Sequence, residues 1–206
     1  DWEMYLADQG YAGQEYAAGH SSNDYNTRVW HLPDHLHPTN WAAREMCRTI
    51  RRRDPRKPAF WYLSFIDPHP PMWPLQAYMD LYRDVPIDPP VIGEWARDPD
   101  SMPWMLRSYS DGGVAMRGAP PHEIELARRA FYALITHIDH QIRVVIGTLR
   151  EEGLLENTII ALTADHGDML GDHGRWAKTL MYEMSAKVPL LVVPLEGASR
   201  IEPGTK

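Results

Sequence analysis

Asp165, His166, Asp168 and Asp172 fall within eight residues, directly after the apolar run Thr158-Ile159-Ile160-Ala161-Leu162. Carboxylates and imidazoles at the end of a buried strand can bind a divalent cation. Asp165 and His166 form an O/N pair that suits Mn²⁺ or Zn²⁺. Mg²⁺ and Ca²⁺ prefer oxygen and fit the pair less comfortably. Two ligands do not complete a shell, so the others must come from elsewhere. The competing reading is an Asp that caps the next turn and a His hydrogen-bonded in a loop. Gly167, Gly171 and Gly174 allow a tight loop. The spacing fails the calcium-loop pattern of alternating carboxylates closed by a Glu. Asp168 and Asp172 therefore read as groups that satisfy loop amides or pair with Arg175.

Lys178 follows thirteen residues after Asp165. An ammonium there can sit on an anionic oxygen and stabilise developing charge; the plain alternative is a surface lysine. His69 lies between Pro68 and Pro70 in a stiff turn. It can protonate a leaving group near neutral pH, or it is a satisfied loop histidine. His137 and His140 flank Asp139 but lack the spacing and glutamate of the His-Glu-x-x-His zinc motif, so they read as helix-edge groups. Cys47 lies on an apolar helical stripe and reads as an inert buried thiol.

The elements that must position these groups follow from periodicity. Pro38-Thr39-Asn40 starts a helix with Thr39 or Asn40 as its cap. Ala43, Met46, Cys47 and Ile50 form its inner face, and Asp54-Pro55 ends it. Ala59 to Ile66 reads as an interior strand ending in Asp67-Pro68-His69. A long helix starts near Pro121, carries the stripe Ala127, Phe131, Leu134, Ile138, Ile142, Val145 and Leu149, and stops at Gly153. Strands are expected at Thr158–Thr163 and Lys187–Val193. The order predicts one α/β domain over residues 1–206 with a mainly parallel sheet flanked by helices. In such sheets ligands bind beyond the carboxyl ends of strands, where His69 and Asp165–Asp168 would converge. The Pro- and Trp-rich region from Met72 to Pro121 reads as long, irregular and ordered by aromatic anchors. Its Trp95–Met105 stretch reads as a pocket wall or a subunit contact, which makes a homo-oligomer one expectation.

The net charge of −7 leaves no basic excess for nucleic acid. No apolar run approaches the roughly 20 residues of a membrane span. A single cysteine excludes an intrachain disulfide and points to a reducing compartment such as the cytoplasm. The chain opens at Asp1 without an initiator Met, as if its N-terminal part were missing.

Asn157 to Gly171, then Lys178, Tyr182-Glu183 and Val188-Pro189-Leu190, form one ordered set of motifs. With Leu63-Ser64-Phe65, Pro68-His69-Pro70 and Ile138-Asp139-His140-Gln141-Ile142, they resemble the sulfatase family of the alkaline phosphatase superfamily. The Asp165-His166 pair looks closer to the arylsulfatase and phosphonate monoester hydrolase branch. The resemblance covers residues 38 to 195, most strongly the last third, and implies an alkaline-phosphatase-like but incomplete fold. By it, Asp165 and His166 are ligands of a divalent metal, Ca²⁺ or Mn²⁺, with Zn²⁺ or Mg²⁺ as alternatives. Lys178 contacts a non-bridging oxygen of a sulfate, phosphate or phosphonate ester. His69 contacts the same group or helps the leaving oxygen depart. The family's nucleophile motif, Cys/Ser-x-Pro/Ala-x-Arg, does not occur: Cys47-Arg48-Thr49-Ile50-Arg51 has Thr at its third position. The early carboxylates of the metal site are also missing. The expectation is therefore a sulfuric ester (or phosphonate or phosphate monoester) hydrolase whose 206 residues are inactive alone. The alternatives are a non-catalytic anion-binding module and a phosphodiesterase of the same superfamily.

Overall fold

The computed structural model of the chain describes residues 1–98, 100–104, 106 and 118–195. Its helices are α1 (Trp2–Asp8), α2 (Pro38–Arg51), α3 (Gln76–Leu81), α4 (Glu94–Arg97), α5 (Pro121–Glu151) and α6 (Glu183–Ala186). Its strands are β1 (Ile160–Thr163) and β2 (Leu190–Val193), and single 3-10 turns cover Asp34–Leu36, Leu155–Asn157 and Asp172–Gly174. Residues 99, 105 and 107–117 of the expected Pro- and Trp-rich region, the first two in the Trp95–Met105 stretch, lie outside the described residues.

The two long helices form where periodicity places them. Pro121 opens α5 in the first-turn position that its missing N–H suits. Gly153, at φ +65°, supplies the left-handed residue that stops it. Ala43, Cys47 and Ile50 of α2 are buried, and α5 packs across α2 and α3. One detail differs from expectation. The cap of α2 is His37, whose Nδ1 accepts the Thr39 amide at 3.3 Å, rather than Thr39 or Asn40. The side chains of Thr39 and Asn40 are engaged elsewhere.

The core is aromatic. Trp30 and Trp73 meet edge to face at 5.3 Å, and Trp2 lies 6.2 Å from each. Leu6, Leu36, Met72, Leu134 and Leu170 close around them. The large rings let short loops bury apolar area that regular elements supply elsewhere.

The sheet of the described residues differs from the expected one in two respects. First, β1 and β2 pair antiparallel, with Ile160 opposite Val193 and Thr163 opposite Leu190. A parallel pair needs a crossover that returns the chain to the start of the first strand. The 164–189 connection instead stays at the end of β1, where the Gly167 amide donates to the Ser185 carbonyl at 2.8 Å. Second, residues 59–66 are extended but have no partner strand among the described residues. Phe60 is 91% exposed and Tyr62 79%, while Trp61, Leu63 and Phe65 are half-buried. The period of two is that of a strand; the ladder is what is lacking. All four residues of β2 are likewise apolar and exposed. No helix among the described residues is long and apolar enough to cross a membrane.

His137 is the other correction. It is fully buried in α5, not at its edge. Its ring stacks on Tyr78 at 4.5 Å and lies 4.8 Å from the His37 ring. Its Nε2 donates to Asn40 Oδ1 at 2.7 Å, while its Nδ1 has no protein partner. Burial holds both imidazoles neutral, down to about 3 for His37 and about 3 for His137, with the His37 ring opposing charge on His137 as well.

That pair gives the fold a pH dependence of defined sign. Free imidazole titrates near 6.5, so below that pH the unfolded chain binds more protons than the folded one. Stability present above about pH 6.5 is then lost as the pH falls, by about 1.4 kcal/mol per unit for each ring. Asp67 works in the opposite sense, because burial raises its carboxyl and ionising it weakens the fold as pH rises. Urea midpoints measured from pH 7 to 4.5 should therefore decline steadily. In His137→Gln that slope should flatten by up to about half; an unchanged slope would remove His137 from the account.

Candidate functional site

β1 delivers Asp165 and His166 at its carboxyl end, and the chain turns at once. A Cβ on Gly167 would lie 2.0 Å from the Met184 carbonyl oxygen, so only glycine allows this close backbone approach. Beyond it the chain makes a narrow excursion. The Met169 amide donates to Ala177 O at 2.9 Å and the Gly171 amide to Arg175 O at 2.8 Å. Lys178 emerges at the base of this excursion. The Ser185 hydroxyl donates to the Lys178 carbonyl at 3.0 Å, tying it to α6.

His69 arrives from the other side on the turn after residues 59–66, with its amide donating to Ile66 O at 3.1 Å. The Asp67–Pro68 and Pro70–Pro71 peptide bonds are cis. Its Nδ1 faces the Pro70 carbonyl at 2.8 Å. A carbonyl only accepts, so Nδ1 carries the proton and Nε2 offers a lone pair. Lys178 Nζ donates to that lone pair at 2.6 Å. The His166 ring lies 6.0 Å from the His69 ring, edge to face. Three of the four expected site residues thus converge through side-chain contacts, and Asp165 flanks His166.

The donor set of the Asp165–His166 pair can be tested for a cation. His166 Nδ1 donates to the Gly167 carbonyl at 2.7 Å, which leaves Nε2 as the lone pair. A backbone carbonyl on the far nitrogen is the arrangement that orients ligand histidines. Asp165 Oδ2 stands 3.6 Å from His166 Nε2, and its side chain is 88% exposed. With metal–ligand bonds of about 2.0–2.2 Å, a separation near 3.5 Å suits two ligands of one ion. The pair therefore fits two positions of a shell. Among the described residues no group of three or more His, Cys, Asp or Glu side chains comes together to fill it.

Asp168 and Asp172 are structural, as the loop-amide reading expected. Buried Asp168 accepts the Leu170 amide at 2.9 Å and the Tyr25 hydroxyl. Burial pushes its carboxyl up despite these donors. Asp172 accepts the Val91 amide at 3.0 Å and lies 3.5 Å from Arg128 of α5. Arg128 also donates to the Leu170 carbonyl at 2.9 Å and pairs with Asp88. Asp67 does not face the site: its buried carboxylate accepts from Thr39 and from Trp73 Nε1. Cys47 is a buried free thiol in α2. Tyr25 and Arg128 escape sequence reasoning because their partners lie 40 to 143 positions away.

A strand-end O/N pair beside a lysine–histidine contact has the chemistry to hold a cation and an anion. The Sulfatase family model matches residues 7–200, and the chain belongs to that family. It is 40% identical over 174 residues to an arylsulfatase of Clostridium perfringens, a match covering 84% of this chain and 35% of the relative. A choline-sulfatase of Rhizobium meliloti is 34% identical over 157 residues, covering 73% and 30%. The chain thus spans about a third of the length of these curated relatives. The crystal structure of a phosphonate monoester hydrolase of Agrobacterium radiobacter superposes with a TM-score of 0.74 at 22% identity, covering 93% of this chain and 40% of that one. At that identity the likeness shows a shared fold.

The approach at Gly167 makes a sharp prediction. Gly167→Ala must move either the Ser185 pairing or His166, and should cost about 2–4 kcal/mol in urea unfolding. Unfolding at the wild-type midpoint would show that the loop accommodates the methyl group.

Proposed function

We propose that this chain carries the cation- and anion-binding part of the centre of a sulfuric ester hydrolase. Esters of phosphonate or phosphate are the nearest alternative substrates. The carrying observation is Lys178 Nζ donating to His69 Nε2 at 2.6 Å beside the Asp165–His166 pair. Family membership and the activities for which the relatives are named support the same reading.

Each side chain has a task. Lys178 has three N–H donors, and His69 engages one, so two remain for non-bridging ester oxygens. Its charge then stabilises negative charge that grows on those oxygens. His69 in its present tautomer holds the ammonium in place. Carrying a proton on Nε2, it can donate to the departing oxygen. His166 Nε2 and Asp165 would hold a divalent cation, Mn²⁺ or Ca²⁺ in our reading, with Zn²⁺ or Mg²⁺ as alternatives. When bound, the cation supplies charge neutralisation at the ester. The 206 residues contain no Cys/Ser-x-Pro/Ala-x-Arg segment. We therefore expect an attacking group and further carboxylates from outside them, and no turnover by these residues alone. The exposed apolar side chains of β2 and of residues 59–66 support their placement in a larger, mainly parallel sheet of the alkaline-phosphatase type.

Kinetics on the protein expressed from its full reading frame test the proposal. With Mn²⁺ present, it should hydrolyse an aryl sulfate or an aryl phosphonate ester. Lys178→Ala and His69→Ala should each lower kcat about 10²- to 10³-fold with unchanged circular dichroism. Wild-type rates in both variants would sink the assignment. In calorimetry, Asp165→Ala or His166→Ala should weaken Mn²⁺ binding by about tenfold or more.

A further inference from the structure

The His69 turn and the His166–Lys178 loop are joined by a third segment. Residues 24–30 run beside residues 72–74. The Met72 amide donates to Asp24 O at 3.4 Å, the Arg28 amide to Met72 O at 3.0 Å and the Trp30 amide to Pro74 O at 2.9 Å. This fastens residues 24–30 to the chain just after His69. Tyr25 then reaches across from it. The side chain is 2% exposed, its ring lies 4.7 Å from the Trp176 ring, and its hydroxyl donates to Asp168. Asp168 is two positions after His166, and Trp176 is two before Lys178.

We propose that Tyr25 is a positioning residue, which through Asp168 and Trp176 sets the separation between His69 and the loop carrying His166 and Lys178. Its ring alone would fill space as Phe does. Its hydroxyl has a further effect, because a buried carboxylate must keep its donors. Without the hydroxyl, Asp168 must turn toward water or toward another donor. Asp168 also holds the Leu170 amide, so the loop moves with it. The Lys178–His69 hydrogen bond spans that joint, and it lengthens or breaks.

This deepens the hydrolase reading and rests on it for its kinetic arm only. With imidazole-¹⁵N-labelled full-length protein at one pH, the His69 Nε2 resonance reports the Lys178 hydrogen bond directly. In Tyr25→Phe it should move from the wild-type position toward that of Lys178→Ala, while His122 at the start of α5 stays fixed. Asp168→Ala should do the same. Asp168→Asn, whose amide keeps one acceptor for Leu170 and a donor for the Tyr25 oxygen, should stay near wild type. In ester hydrolysis, Tyr25→Phe should lower kcat about ten- to hundredfold with KM within about twofold. A His69 resonance unmoved in Tyr25→Phe overturns the proposal, even if the variant melts earlier. A wild-type protein that hydrolyses no ester would refute the hydrolase reading, and the resonance comparison would still decide the role of Tyr25.

Discussion

One hydrogen bond sets the conditions for the rest of the site: Lys178 Nζ to His69 Nε2, closing a separation of 109 positions at 2.6 Å. Neither residue sits in a helix or strand. His69 lies in a proline-bounded turn, and Lys178 lies at the foot of a loop. Side-chain hydrogen bonds of this kind contribute about 1.5–3 kcal/mol at best when one partner is charged. That is too little to order two loops whose residues each lose about 1–2 kcal/mol of backbone entropy. The contact is therefore a consequence of order imposed elsewhere, and it reports on that order.

The order comes from buried polar groups set into an aromatic core. Asp67 takes donors from Thr39 and Trp73, which fixes the His69 turn to the start of α2. Asp168 takes donors from Tyr25 and Leu170, which fixes the metal-type loop to residues 24–30. Arg128 reaches from α5 to Leu170, Asp172 and Asp88, which fixes the same loop to the long helix. Each group is costly to bury unless its partners are in place. Each therefore penalises any packing that misplaces them. His37 and Asp67, 3.9 Å apart, show the same pressure from another side. Burial drives the imidazole down and the carboxyl up, so it opposes charge on both groups.

What the sequence discloses divides along the same line. The helices α2 and α5 were legible because a buried face recurs every three to four residues. Asp165, His166, Lys178 and His69 were legible because unusual residue types cluster next to apolar runs. Strand positions at 160–163 and 190–193 were legible, whereas their antiparallel sense was not. That sense depends on whether the connection crosses back, and residues 164–189 contain glycines and short turns that permit either route. Tyr25 and Arg128 gave no local signal, since a tyrosine among polar residues and an arginine on a helix are ordinary in sequence. His137 was misjudged for a related reason: its neighbour Asp139 and its spacing suggest a helix edge, while its actual surroundings, Tyr78 and His37, come from other segments.

The division also separates what the site needs from what the sheet needs. β1 and β2 have four residues each; all four of β2 are apolar and exposed, whereas β1 half-buries Ile160 and Leu162. Their mutual pairing is extended by the Thr163 hydroxyl, which donates to the Pro189 carbonyl at 2.9 Å. The contacts that place His69 and Lys178 run instead through α2, α5 and residues 24–30. Further strands laid against the exposed faces would bury apolar area at about 25 cal/mol per Å² and so stabilise the sheet strongly. They would not need to rebuild the lysine–histidine contact, because its supports are already closed within the core on the other side.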